Sequence, residues 1–228
     1  NALDNQKKFR DTLRWGLNLS LLVSVPSAAG LFLLSAPLIS TIFLGGTFSD
    51  YDLMMTDISL RGYSLGIIGL CMVLVLSPAF YAREDTKTPL RFGLITLCIN
   101  VILSVLFVSY FVSKNSEFPH LGLALAFSIA SITNAVLLFY QLVKEGLIEI
   151  NRDGFVYLLR IALATTGMTA FLMAFNPDDS LWIDSGIFDR IGSLFFLISL
   201  SVIIYFSILF LLGFRLKDLR IETTSQRL

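Results

Sequence analysis

A few polar side chains lie inside long apolar stretches of the sequence, and these residues could bind a ligand or a small cation. Asn100 and Ser104 are four residues apart, so on a helix their oxygens point the same way. They are candidates for cation binding, although hydrogen bonding to a neighbouring helix is the more common use of such residues. Arg61 and Asn134 are candidates for contact with a substrate in a central cavity. For Arg61, extension of the guanidinium to the membrane surface is the more common alternative.

The residue types present do not support enzymatic chemistry. The chain has a single histidine, His120, and lacks a GxSxG motif, a phosphate-binding loop, metal-ligand spacing and a carboxylate pair within an apolar run. We therefore expect no catalytic residue, no metal and no cofactor. His120 is expected to be a solvated residue at a helix start. Cys71 and Cys98 lack CxxC spacing and are expected to be small buried hydrophobic residues rather than a disulfide or a metal pair.

The composition indicates a membrane protein. The mean hydropathy is +0.77, with 55% hydrophobic and 15% charged residues, which lies outside the usual range of soluble domains. Six segments have the length that a helix needs to cross a hydrocarbon core. The predicted fold is therefore all-α, a polytopic bundle of six transmembrane helices. The predicted spans are Leu17–Phe43, Gly62–Ala82, Phe92–Val112, Leu121–Val143, Ile161–Phe175 and Ile191–Phe214.

Individual residues predict where the spans bend, where one begins and how they pack. Pro26 and Pro37 predict that the first span is bent or broken near one of them, because proline lacks the amide donor of a helix. The charge-free part of the fifth span is short, so Arg160 is expected inside the helix with its guanidinium extending toward the lipid headgroups. Small residues recur at helical spacing in the second and fourth spans and predict close helix packing. They are Gly62, Gly66, Gly122, Ala126 and Ala130, with Asn134 one turn further on.

The basic residues are distributed unevenly between the two sides of such a bundle. Of the 17 Lys and Arg residues, all but Arg61, Lys114 and Arg190 fall on one set of alternating loops and termini. The positive-inside rule then predicts that both termini and these loops are cytoplasmic. Because the short basic clusters flank spans, topology explains them, and a nucleic-acid partner is not expected.

The predicted organisation has five parts. Residues 1–16 mix charges and aromatic residues, and they are expected to form a helix at the membrane interface before the chain turns into the bilayer. Residues 17–143 form four spans, residues 144–160 a cytoplasmic loop, residues 161–214 a final helix pair and residues 215–228 a cytoplasmic tail. The chain begins at Asn1 rather than methionine, which suggests a fragment of a longer protein.

Several short motifs resemble those of one membrane-protein family. The segment Phe80–Arg91 reads FYAREDTKTPLR and is similar to the YYARxDTxTPxR loop of the MurJ (MviN) flippases. The motif positions of this loop are Arg83, Asp85, Thr86, Thr88, Pro89 and Arg91. Agreement in order and spacing extends to Pro26–Leu31, to Gly45–Phe48 with Asp52 after it, and to Gly122–Ala126, with Tyr63–Gly66 as a weaker match.

The resemblance implies an inner-membrane flippase of the multidrug/oligosaccharidyl-lipid/polysaccharide exporter superfamily. Such a protein moves lipid II, the lipid-linked peptidoglycan precursor, across the membrane by alternating access and is not an enzyme. The chain resembles the C-terminal half of the family, so the implied partners are lipid II, membrane lipids and a missing N-terminal lobe. The final helix pair resembles the pair that forms an apolar groove for the lipid tail. The candidate groove residues are Phe171, Phe175, Phe195 and Phe206.

The resemblance also implies an energy source, which is a monovalent cation gradient or the membrane potential. Asn100 matches the polar pattern of the family's cation site, whereas Ser104 stands where an acidic residue would bind a cation more strongly. Two other functions stay open at this point. One is a polysaccharide-lipid flippase or drug exporter of the same superfamily, and the other is a non-transporting membrane scaffold.

Overall fold

The computed structural model describes residues 2–44, 47–149, 151–177 and 179–214, and this part of the chain is helical. The tail after residue 214 and the motif glycines Gly45 and Gly46 lie outside the described residues. The helices are α1 (Ala2–Leu33), α2 (Ser35–Phe43), α3 (Asp50–Ser64), α4 (Ile67–Tyr81), α5 (Lys87–Ser113), α6 (Leu121–Lys144), α7 (Arg152–Phe175), α8 (Asp179–Asp184) and α9 (Ile187–Leu211).

The all-helical, multi-span fold is confirmed. Five helices in the described part are long and apolar enough to cross a membrane, namely α5, α6, α7, α9 and α1 from Asn5 onward. A sixth crossing is obtained if α3 and α4 form one span, since the two helices are separated by a short break and bent by 42°. The second predicted span, Gly62–Ala82, thus covers only the end of α3 and all of α4.

The first predicted span is broken, as the prolines suggested. The break falls at Leu34, between α1 and α2, and Pro37 lies in the first turn of α2, where a missing amide hydrogen costs least. Pro26 instead lies inside α1, which continues through it. The turn expected after residue 16 is absent, because α1 is one helix of 32 residues from Ala2 to Leu33.

The fifth span begins earlier in the chain than the sequence indicated. The Asn151 side chain accepts a hydrogen bond of 2.9 Å from the Gly154 amide and thereby caps α7, which starts at Arg152. Residues 152–160, expected in a loop, are therefore helical. Arg160 lies inside the helix as predicted, and its Nη1 is 3.5 Å from the Gly213 carbonyl oxygen.

Helices α1 and α6 each pack on at least three other helices and organise the bundle. Helix α5 packs on α6, α6 packs on α3 and α4, and these two pack on α1. On the other side of α1 lie α7 and α9, which pack on each other, while α2 contacts both α3 and α9. Helices α1 and α2 thus join the final helix pair to the other spans.

Small residues bring α3 and α4 against α6. A Cβ built on Gly62 would lie 2.7 Å from the Ala124 Cβ, and one on Gly69 would lie 2.6 Å from the Ile132 backbone nitrogen. The backbones therefore approach more closely than any side chain on these glycines would allow. Ser128 of α6 also donates a 2.7 Å hydrogen bond to the Gly62 carbonyl, near the break where α3 ends. The packing role predicted for these small residues is confirmed at this interface.

Two predictions about single residues are wrong. His120 is not simply solvated, because its Nε2 lies 3.0 Å from the Met55 carbonyl oxygen and connects the start of α6 to α3. Cys98 is exposed on α5 rather than buried, since it lies away from α6 on a helix with few packing partners, while Cys71 is half-buried. Both cysteines are free thiols, as expected.

The close approach at Gly69 generates a stability prediction. Gly69→Ala should destabilise the protein by about 1–3 kcal/mol, because the added methyl would have to displace the α6 backbone. Gly93→Ala is the matched control, since nothing lies within 4 Å of a Cβ built at that position and alanine favours the helix by up to ~1 kcal/mol. Thermal unfolding in one detergent would compare the two variants, and equal melting temperatures for them would contradict the close packing.

Candidate functional site

An apolar groove of about 420 Å³ lies between α1 and α9. On the α1 side it is lined by residues around Pro26 and on the α9 side by residues around Tyr205. Its only hydroxyl groups come from Ser27, Ser201 and Tyr205, and the other lining side chains are aliphatic, aromatic or thioether. A groove of this composition fits a hydrocarbon chain better than a polar headgroup.

The groove is held together by a hydrogen bond that follows from Pro26. Proline has no amide hydrogen, so the carbonyl four residues earlier, at Leu22, loses its helical donor. The Tyr205 hydroxyl of α9 donates to this oxygen at 2.8 Å, and both groups are buried. In an environment without water an unpaired carbonyl costs several kcal/mol, so this bond both satisfies α1 and fixes α9 against it.

One of the four candidate phenylalanines lines this groove. Phe206 is a groove residue, and its ring packs edge-on against Tyr205 with centroids 5.3 Å apart. Phe171 and Phe175 stack on each other at 4.9 Å on α7, and Phe195 is exposed on α9. These three residues do not line the groove, to which α7 contributes Met168. Their contact with a lipid tail stays a prediction.

Arg61 takes part in a cluster that the sequence did not reveal. Its Nε donates to Ser35 Oγ and to Asp57 Oδ1, both at 3.0 Å, and its Nη2 lies 3.0 Å from Asp57 Oδ2. The Ser35 hydroxyl donates to Asp57 as well. Asp57 and Ser35 are buried while the Arg61 side chain is 39% exposed, and the contacts of the bidentate pair with Ser35 join α3 to the start of α2. Arg61 is therefore neutralised by Asp57 in this structure, and its contact with a substrate stays a prediction.

The polar residues of α5 and α6 are placed as follows. Ser104 Oγ donates to Asn100 Oδ1 at 3.4 Å, so the two side chains do face the same way on α5. Two neutral oxygens are far fewer than the six or more ligands that hard cations take, so a cation would need further ligands. Asn134 lies on α6, where its buried Oδ1 has no hydrogen-bond partner among the described residues. Neither the groove nor the pocket of about 400 Å³ at the start of α1 is lined by Asn134, Arg61, Asn100 or Ser104.

The loop with the family motif is a tight connection between α4 and α5. After α4 ends at Tyr81, the Asp85 amide donates to the Phe80 carbonyl at 3.1 Å and the Glu84 amide donates to the Tyr81 carbonyl at 3.0 Å. This pair of bonds is a Schellman motif, and it requires a left-handed residue, here Glu84 with φ 61°. Glu84 carries the Cβ that glycine lacks, so the turn stores some strain.

Motif residues then start α5. Asp85 Oδ1 accepts from the Lys87 and Thr88 amides at 3.1 and 3.0 Å, which caps the helix. Hydrogen bonding from Thr88, with smaller contributions from the Lys87 amide and the Arg83 charge, lowers the pKa of Asp85, so its carboxylate is ionised at neutral pH. Pro89 lies in the first turn, where its missing amide hydrogen needs no partner. The remaining motif residues, Thr86 and Arg91, are exposed.

Arg83 connects the same loop to the far end of α6. Its Nη1 lies 2.5 Å from Glu145 Oε2, and its guanidinium packs over the Phe80 ring at 5.9 Å. Glu145 also accepts from Gln141 at 2.7 Å. Because both charged side chains are partly exposed, we expect this pair to add little to the free energy of unfolding. It would mainly orient the loop relative to the end of α6.

Sequence reasoning missed three residues that organise the site: Tyr205, Asp57 and Arg190. Arg190 was counted only as an external charge, yet it is buried and donates to the carbonyls of Ser40 at 3.2 Å and Ile183 at 2.6 Å, near the ends of α2 and α8. A cation at helix C-termini is favoured by the helix dipole. The one available signal for Tyr205 was Pro26, because a proline inside a helix leaves the carbonyl four residues earlier without its helical donor.

These features define a polytopic helical membrane protein with an apolar groove. A family model described as "Lipid II flippase MurJ" matches residues 1–183, and the chain therefore belongs to the MurJ family. This is a family of multi-pass transporters of the bacterial inner membrane rather than of enzymes.

Individual relatives agree with this assignment. The chain is 34% identical over 215 residues to the "Probable lipid II flippase MurJ" of Vibrio cholerae, covering 94% of this chain and 40% of the relative. The similarly named Haemophilus influenzae protein is 32% identical, with coverages of 91% and 39%. The "Lipid II flippase MurJ" of Burkholderia cenocepacia is 30% identical, with coverages of 89% and 38%. The chain thus spans about 40% of the length of the curated relatives it matches.

The Tyr205 hydrogen bond can be tested by a double-mutant cycle with Pro26. Tyr205→Phe should cost about 1–3 kcal/mol, because it leaves the Leu22 carbonyl unpaired in a buried position. In a Pro26→Ala background the cost should fall, since residue 26 then supplies an amide donor to the same carbonyl. Thermal unfolding of the four proteins would give the coupling energy.

Tyr110→Phe is the control, because Tyr110 is an exposed tyrosine on α5 whose loss should change the melting temperature little. Equal costs of Tyr205→Phe with and without Pro26 would show that the hydroxyl does not serve the carbonyl freed by proline.

Proposed function

We propose that this chain acts as the C-terminal part of a lipid II flippase, which translocates the lipid-linked peptidoglycan precursor across the inner membrane by alternating access. The observation that carries the proposal is the family match over residues 1–183, supported by relatives named as lipid II flippases. Its partners in this proposal are lipid II, the surrounding membrane lipids and an N-terminal lobe. Either a monovalent cation gradient, with Asn100 and Ser104 among the ligands, or the membrane potential would drive the cycle.

In this mechanism the groove between α1 and α9 holds part of the lipid tail while the headgroup passes through a polar cavity elsewhere. The apolar lining and the volume of about 420 Å³ support this role. The Tyr205 hydroxyl keeps α9 attached to α1, so we infer that the final helix pair follows α1 when the lobes move. Phe206 would then contact the tail directly, whereas Phe171, Phe175 and Phe195 would contact tails at the outer surface of the pair.

We also propose that both termini and the Phe80–Arg91 loop lie in the cytoplasm. The distribution of Lys and Arg supports this orientation.

In a cysteine-free protein, a cysteine introduced at Lys87 should be labelled by a membrane-impermeant thiol reagent only from the cytoplasmic side, and one at Asn115 only from the outside. Both residues are exposed. Lys87 is the first residue of α5, and Asn115 follows the other end of the helix. Removing the charges of Arg83, Lys87 and Arg91 should disturb this pattern or the activity, and unchanged labelling together with unchanged activity would refute the assigned role of these charges.

The transport activity itself is tested by depletion in cells. Loss of the full-length protein should stop lipid II from reaching the outer face of the membrane, measured with an externally added lipid II-cleaving enzyme. Continued arrival of lipid II would overturn the proposal. Binding of lipid II, compared with an undecaprenyl-linked glycan and a cationic drug, separates this function from those of other exporters of the superfamily.

A charge swap within the depletion assay would separate the two roles open to Arg61. Asp57→Arg combined with Arg61→Asp preserves an ion pair between these positions but moves the cation by one helical turn. Recovered transport would assign the pair to holding α3 against α2. Transport lost in the swap, with an unchanged melting temperature, would assign Arg61 to the substrate.

A further inference from the structure

A second pocket, of about 400 Å³, lies at the opposite end of α1 from the groove. It is enclosed by the first half of α1, the end of α6, the connection after α6 and the first turns of α7. The groove residues around Pro26 and Tyr205 do not line it, and the motif loop is not part of it. Nothing in the proposed transport mechanism uses this pocket.

One face of α1 changes from basic to apolar along this pocket. Lys7, Arg10 and Arg14 follow one another at spacings of three and four residues, so they share a face of the helix. Leu17 and Leu21 continue the same face one and two turns further on, and both line the pocket. The cations are therefore at the end of the pocket near the chain terminus, and the apolar wall is at the end nearer the middle of the span.

The cations in the pocket are only partly compensated. Arg10 Nη1 lies 3.7 Å from Glu149 Oε1, a long contact to a carboxylate whose side chain is 78% exposed. The Arg10 Nε is buried and has no hydrogen-bond partner in the described part of the chain. Lys7 and Arg14 form no ion pair among the described residues, although Asp11 also lines the pocket. Three cations thus face two carboxylates, and an anion entering here would find unused donors.

The opposite wall is formed by the start of α7. Phe155 and Leu158 line the pocket with their apolar side chains, and Phe155 is 68% exposed. The Asn151 side chain satisfies the Gly154 amide, and the dipole at the start of α7 favours an anion here. A ligand that fits both walls has an anionic group joined to hydrocarbon.

We propose that this pocket binds an anionic phospholipid of the surrounding bilayer. Its phosphate lies against Lys7, Arg10 and Arg14, and its acyl chains run along Leu21 and Leu158. The bound lipid would add a polar link between the start of α1 and the α6–α7 connection, where apolar packing of Phe9 and Leu13 near Leu147 is already joined by the long Arg10–Glu149 contact. The proposal depends on the membrane location of the protein but not on transport of lipid II, so the two can fail separately.

The test measures lipid contact through Trp15, which follows Arg14 in the chain. The other tryptophan, Trp182, is buried in α8, and Trp182→Phe leaves Trp15 as the only reporter. The purified protein is placed in nanodiscs of phosphatidylcholine with a small fraction of phosphatidylglycerol that carries bromine on its acyl chains. Brominated phosphatidylglycerol should quench Trp15 more strongly than the same fraction of brominated phosphatidylcholine.

The variant Lys7→Gln/Arg10→Gln/Arg14→Gln should lose this preference by at least about tenfold in apparent affinity, given about 1 kcal/mol per basic residue at a membrane surface. The control Lys114→Gln/Lys144→Gln/Arg152→Gln removes three exposed cations that do not line the pocket and should keep the preference. If the triple variant does not fold, Arg14→Gln alone should reduce the preference about fivefold. Circular dichroism in phosphatidylcholine nanodiscs checks the fold of each variant.

Three outcomes would overturn the proposal. The first is equal quenching by the two brominated lipids, and the second is equal loss of preference in the pocket variant and the control. The third is full competition by millimolar glycerol phosphate, which would show that the pocket recognises a free phosphate rather than a lipid.

Discussion

Backbone carbonyls inside a bilayer have no water to accept from, and this constraint explains several of the hydrogen bonds that join the helices of this protein. Pro26 removes one helical donor, and the Tyr205 hydroxyl replaces it at the Leu22 carbonyl. The break between α3 and α4 leaves the Gly62 carbonyl in need of a donor, and Ser128 supplies it. Arg190 does the same near the ends of α2 and α8. Each of these irregularities in a helix is thus paired with a donor from another helix.

Each of these donors lies on a different helix from the carbonyl it satisfies, so each hydrogen bond also fixes how two helices pack. Ser128 is on α6 and attaches it to α3, at an interface where glycines already permit close backbone approach. Tyr205 is on α9 and attaches the final helix pair to α1. Hydrogen bonds between membrane helices are individually modest, about 1 kcal/mol, so their contribution lies in defining which faces meet. The groove exists because α9 is held at this position along α1.

The sequence predicted what depends on length, hydropathy and short motifs. The all-helical fold, the small-residue packing and the interruption of the first span are correct because each follows from a local property. The error at His120 arises because the contacts of a polar side chain depend on elements distant in sequence, here Met55 of α3. For the same reason the contact of Arg61 with Ser35 of α2 could not be predicted. Helix starts are also hard to predict when a cap such as Asn151 extends a helix into charged sequence.

The motif loop shows how a family signature can arise from backbone requirements. Asp85 accepts from the Lys87 and Thr88 amides at the start of α5, Pro89 fits the first turn, and Arg83 reaches Glu145 at the end of α6. Most of these positions are explained by starting a helix correctly within a very short connection. These residues hold the ends of α4, α5 and α6 together at this loop. A family that shares this arrangement of helices would therefore share the motif.

The dependence of the Leu22 carbonyl on both Pro26 and Tyr205 has an evolutionary consequence. A relative that replaces the proline restores the helical donor and releases the constraint on the tyrosine, whereas a relative that loses the hydroxyl first passes through a destabilised intermediate. Replacement at position 26 is therefore expected to precede replacement at position 205. The two positions lie on helices far apart in the chain, and they should therefore covary among relatives. Relatives that lack the tyrosine should also lack the proline.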